Sequence, residues 1–181
     1  MRISSINMMA VLLITIALLE RFYIDLGPNI ELVTTASILT GLYLKPKIAW
    51  IVPLIIMLLS DLYLGIGLIS IFTWSGFFLI TVLPKMWKKH FHSNLTVGTV
   101  AGIMGSLIFY FWTNFGVWLT DRWGMYSNNI TGLISSYING LPFLKLNLLS
   151  TIIFVPTTIL LVEFILHLKK HSINNQKILT N

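Results

Sequence analysis

The amino-acid sequence predicts an all-α integral membrane bundle of six transmembrane helices with cytoplasmic N- and C-termini, on three observations. Of its 181 residues, 56% are hydrophobic and only 10% are charged, whereas a soluble domain of this length keeps roughly a quarter of its residues charged to wet its surface. Its apolar stretches, counted at about 20 residues per crossing, supply six spans and leave no room for a sizeable soluble catalytic domain. Its cations gather at alternate ends of those spans. The absence of cysteine excludes a disulfide framework, a Cys-based zinc site and a thiol nucleophile.

The first span covers Met8 to Tyr23. Leu18-Leu19-Glu20-Arg21 makes a poor cleavage site, so this segment reads as an uncleaved helix rather than a secretory signal. Asp25-Leu26-Gly27-Pro28-Asn29 breaks the chain, and a second helix covers Ile30 to Leu44 before Lys45-Pro46-Lys47 closes it. A helix this short tilts little or sits partly inside the bundle. Ile48 to Val82 is too long for one crossing and divides at Ser60-Asp61 and Gly65-Ile66-Gly67 into helices three and four, the fourth ending at Pro84-Lys85. Helix five runs from Leu95 to Leu119. A long loop, Thr120 to Leu141, carries Trp123, Tyr126 and Tyr137, a composition suited to a membrane interface. Helix six starts at Pro142, a favourable first-turn residue, and ends at Leu168. Residues 1–170 form a single domain, and 171–181 a polar cytoplasmic tail.

If the spans alternate, Arg2, Lys45, Lys47, Lys85, Lys88, Lys89, Lys169, Lys170 and Lys177 share one side and Arg21, Arg122 and Lys145 the other. The excess marks the cytoplasmic side and places the protein, multi-pass, in a cell membrane. The formal charge of +6 is then explained by topology and anionic headgroups, which leaves no support for a nucleic-acid partner. Most acids fall at the outward ends, which makes that face the chemically busy one.

Polar side chains inside a span face other helices or a water-filled cavity, because hydrocarbon leaves them unpaired. Ser106, Tyr110, Thr113, Asn114, Trp118 and Asp121 follow three- and four-residue steps along one face of helix five. Asn114 both donates and accepts, Tyr110 offers a hydroxyl and Trp118 a ring surface, a set suited to a small heteroaromatic ligand. Two roles stand open for Asn114, ligand contact and interhelical glue. Asp61, beside Ser60 at the outward end of helix three, reads either as an anchor for a cationic or hydrogen-bonding group or as a helix-end acid paired with Arg122 or Lys145. Trp74, Asn29, Glu31 and Asn147 complete the candidate outward pocket, with the tryptophans equally suited to anchor at the interface.

The four histidines form no metal motif, and no inward acid, base and nucleophile lie at one membrane depth. No phosphate-cradling Gly-Lys motif occurs. Neither enzymatic activity nor a metal or cofactor is therefore expected, and any ATP motor must be another subunit.

Asn29, the helix from Pro53 to Ser60-Asp61, the run Gly105 to Trp118 containing Thr113-Asn114-Phe115-Gly116-Val117-Trp118, then Gly132-Leu133 and Pro142-Phe143 resemble an uncharacterised bacterial membrane family related to S-components. The six-helix layout itself resembles those S-components, the substrate-capture subunits of energy-coupling-factor transporters. The resemblance implies a vitamin or similar small nutrient as cargo and a transmembrane scaffold subunit driven by two ATPases as partner in the bacterial inner membrane. One departure stands out: the Ala-x-x-x-Ala patch by which many S-components meet that scaffold is missing, since Ala10 and Ala17 are seven apart in helix one. Ala36 to Thr40 and Ser37 to Gly41 in helix two are the nearest small-residue pairs. The competing reading is a non-transporting scaffold similar to a rod-shape-determining membrane protein of S-component-like architecture. A solid outer half would distinguish it from a carrier, which needs a cavity with convergent polar groups.

Overall fold

The structure is a computed structural model that describes residues 3–24, 27 and 30–179, with side chains over 8–24, 27 and 30–170. Among these the chain forms α1 (Ile3–Tyr23), α2 (Val33–Tyr43), α3 (Pro46–Ala49), α4 (Ile51–Leu64), α5 (Ile69–Trp87), α6 (Asn94–Thr120) and α7 (Ile130–Leu179), with no strand. α3 and α4 join at Trp50 into one apolar unit, so six helical segments result, as expected. Pro46–Leu64, Ile69–Trp87, Asn94–Thr120 and Ile130–Lys170 are long and apolar enough to cross a membrane, the profile of a membrane protein. Val11, Leu12 and Ile16 on α1 and Leu160, Leu161 and Phe164 on α7 lie exposed. An apolar surface of that extent suits acyl chains rather than water.

The short helix α2 is the axis of the bundle. Every residue from Val33 to Leu42 is buried, and the helix packs against α1, α4, α5, α6 and α7. Within this enclosure two of its hydroxyls are satisfied by the helix's own backbone. Ser37 Oγ donates to the Val33 carbonyl (2.8 Å) and Thr40 Oγ1 to that of Ser37 (2.9 Å). A Cβ on Gly41 would collide with the Thr81 carbonyl of α5. The small residues of α2 thus serve close packing inside the bundle and present no face to an outside partner. On α6, a Cβ on Gly98 would meet Ile159 of α7, and one on Gly102 would come within 2.8 Å of Thr151. These glycines let α6 lie close against α7.

The turn between α4 and α5 falls at Gly65, which adopts φ +112°, while Ser60-Asp61, expected to share in the break, lie inside α4. Several expected boundaries differ. α5 continues through Pro84 to Trp87, and α7 begins at Ile130, with Pro142 and Pro156 in its interior. The start of α7 comes from Asn129, whose Oδ1 accepts from the Gly132 N–H (3.0 Å) and from Ser127 Oγ (2.9 Å). In apolar surroundings no water rewards a broken helix, so the chain winds on through proline. The expected long loop shrinks to residues 121–129, closed by Asp121, which accepts from the N–H groups of Met125 (3.0 Å) and Tyr126 (2.9 Å). Past the expected end at Leu168, α7 continues to Leu179.

Candidate functional site

α1, α4 and α6 end, and α5 and α7 begin, at the same end of the bundle. Between them lies a cavity of about 590 Å³, within the range of small-molecule sites. Lys45, Lys47, Lys85, Lys88 and Lys89 lie in or next to the terminal turns at the opposite helix ends. By position along their helices, Met57, Phe77, Ser106 and Asn147 are the deepest lining residues, while Glu31, Leu64 and Tyr126 lie near its mouth. Phe77 and Phe109 pack at 4.6 Å between ring centroids and give it an aromatic wall.

Of the residues expected at an outward pocket, Glu31, Tyr110, Asn114 and Asn147 line the cavity. The Tyr110 hydroxyl donates to the Tyr137 carbonyl (2.6 Å), fixing α6 against α7. Asn114 Nδ2 donates to the Tyr110 carbonyl (2.8 Å), and Asn114 Oδ1 occupies the space that a side chain at Gly140 would take. Asp61 and Trp74 are brought together but do not line the cavity: Trp74 Nε1 donates to Asp61 Oδ2 at 2.7 Å. The other Asp61 oxygen accepts from Ser60 Oγ (3.3 Å) and faces the Arg21 guanidinium at 3.6 Å, so its partner is Arg21 and not Arg122 or Lys145. Trp118 also stands outside the lining, its Nε1 donating to the Ser127 carbonyl (3.1 Å) and tying down the 121–129 loop. Asn29 lies outside the described residues.

The cavity also gathers residues that sequence reasoning used only for topology or passed over: Glu20, Arg21, Thr73, Asn139 and Gly140. An acid and a base side by side at the end of apolar α1 were the available signal for Glu20 and Arg21. Glu31 Oε1 accepts from Thr34 Oγ1 (2.6 Å), while its Oε2 is buried with no hydrogen-bond partner. Burial pushes the Glu31 carboxyl above its ordinary 4.5 and the Glu20 charge adds to the rise, against the Thr34 hydrogen bond and the Arg21 charge. Among the described residues the buried polar side-chain atoms without a partner are Arg21 Nε, Glu31 Oε2, Thr35 Oγ1 and Asn147 Oδ1. Three of these four belong to cavity-lining residues. Buried polar groups are otherwise almost always satisfied, so this concentration sets the cavity's surroundings apart from the rest of the bundle.

A second polar cluster sits at the lysine-rich end. Glu163 Oε1 of α7 accepts from Asn94 Nδ2 (2.8 Å) and from the Tyr43 hydroxyl (3.3 Å), and Asn94 Oδ1 accepts from Lys88 Nζ (3.1 Å). It binds α2, α6 and α7 together beyond the cavity. Among the described residues no three His, Asp or Glu side chains gather as they would around a metal ion.

The model of a family of unknown function (DUF6580) matches residues 2–174. No curated protein and no solved structure matches the chain.

Proposed function

The chain belongs to this family of unknown function, and we propose that it is a membrane substrate-binding subunit for uptake of a small, vitamin-like micronutrient, resembling an energy-coupling-factor S-component. The observation that carries the reading is the cavity of about 590 Å³, lined by Arg21, Glu31 and Asn147, each of which holds a buried polar atom without a partner. With the lysine-rich ends on the cytoplasmic side of a bacterial inner membrane, both termini are cytoplasmic and the cavity opens outward. Binding and passage, rather than catalysis, are then its work. Because no nucleotide site is present in the sequence, the energy comes from a partner, a transmembrane scaffold subunit with two ATPases. The small residues of α2 are spent inside the bundle, so that partner docks through a different face.

A scaffold reading, similar to a rod-shape-determining membrane protein, draws on Asp61, Trp74 and Trp118, whose polar groups are spent on bonds within the chain. The full chain, purified in detergent, separates the two when heated with a panel of vitamins. A ligand at a hundredfold excess over its Kd stabilises by about 2.7 kcal/mol, and Asn147→Leu abolishes that response. A panel without any response favours the scaffold.

A further inference from the structure

The geometry points to a cationic ligand, an ammonium or amidinium group on a compact apolar body, as the occupant of the cavity. The inference rests on the substrate-binding reading and narrows its chemical class. Glu20, Glu31 and Arg21 are the charged residues that line the cavity among those described. Asp61 stands 3.6 Å from Arg21 and supplies that guanidinium with a counter-charge. Among the described residues the carboxyl groups of Glu20, Glu31 and Asp61 outnumber the one guanidinium even with burial holding Glu31 toward its protonated form, so an anionic ligand would enter against the balance of charge.

The unpartnered atoms have the same polarity. Glu31 Oε2 and Asn147 Oδ1 are acceptors, buried and without a donor, and Asn147 is only 6% exposed. A ligand that reaches these atoms on binding has to bring N–H or O–H donors, and a charge-assisted N–H to a carboxylate is the stronger choice. Arg21 Nε supplies one buried donor for a ligand acceptor. Phe77, Phe109, Phe143, Met57 and Leu144 clad the remainder, which fits an aromatic or aliphatic body and gives a cation aromatic faces to approach. An alkali-metal ion alone would leave this apolar lining unused.

Three probes of nearly equal shape test the inference on the full chain in detergent by isothermal titration: 2-phenylethylammonium, 2-phenylethanol and 3-phenylpropanoate. The ammonium is expected to bind at least tenfold more tightly than either other probe. Glu31→Gln should weaken it tenfold or more, while Asn147→Asp, which adds a carboxylate deeper in the same cavity, should strengthen it. Should Glu31→Gln fail to fold, the wild-type ranking and Asn147→Asp decide the matter. Preference for the alcohol or the carboxylate, or equal binding of all three, overturns the cationic class and leaves the substrate-binding reading standing. No binding of any probe overturns both.

Discussion

Gly140 offers the sharpest test of the geometry around the cavity. A Cβ at this helical position would run into the Asn114 side-chain amide, which is held by its 2.8 Å bond to the Tyr110 carbonyl. In the wild-type background Gly140→Ala gains about 1 kcal/mol of helix propensity. It also displaces the amide, losing a hydrogen bond of about 1 kcal/mol and straining a rotamer by about 1 kcal/mol. The net effect is a destabilisation of about 1 kcal/mol. With Asn114→Ala already present the obstacle is gone, and the same substitution should stabilise by about 1 kcal/mol. Equilibrium unfolding in micelles of the four proteins of this cycle should thus give a coupling of about 2 kcal/mol. An identical effect of Gly140→Ala in both backgrounds would refute the placement of Asn114 against α7.

Glu31, in the segment between α1 and α2, makes stability depend on pH. Its carboxyl holds a proton more tightly in the folded chain than the ordinary 4.5 of the unfolded one, because burial disfavours the charge, so stability falls as pH rises from 4.5 through the raised folded value. Thermal melts of Glu31→Gln should lack this slope and lie above wild type at neutral pH; a lower Tm there would mean that the carboxylate is paired and favourable. Trp74→Phe removes the 2.7 Å bond to Asp61 and should cost about 2 kcal/mol in chemical unfolding; a loss below half that size would make the bond dispensable. Glu163→Ala strips the acceptor from Asn94 and Tyr43 and should cost about 2 kcal/mol with ligand affinity unchanged, since the cluster lies at the other end. A parallel fall in affinity would contradict that separation.

Much of the architecture was legible because membrane spans announce themselves by length and because Ser60-Asp61 and Gly65 interrupt an otherwise continuous apolar run. The boundaries near proline were not. Pro84 and Pro142 read as helix ends by rules learned in water, and those rules weaken where no solvent competes for the backbone. Asn129, three residues before Gly132, carried the capping signal that places the start of α7. The site was half legible. The three- and four-residue steps of α6 brought out Tyr110 and Asn114, yet the same periodicity reached Trp118, which turns to the 121–129 loop. Asp61 was visible as an acid at a helix end, but its partners came from α1 and α5, and no local pattern reports a contact between distant segments. The same blindness hid Glu20 and Arg21, whose role depends on where the end of α1 lands.

The account as a whole depends on a small molecule occupying the space among Glu31, Asn114 and Asn147. Native mass spectrometry of the full chain released gently from detergent tests this most directly. One adduct per chain, of a few hundred daltons, is expected, carrying a basic nitrogen and diminished in Glu31→Gln and Asn147→Leu. Bare protein with lipid adducts alone, unchanged by either substitution, would contradict it.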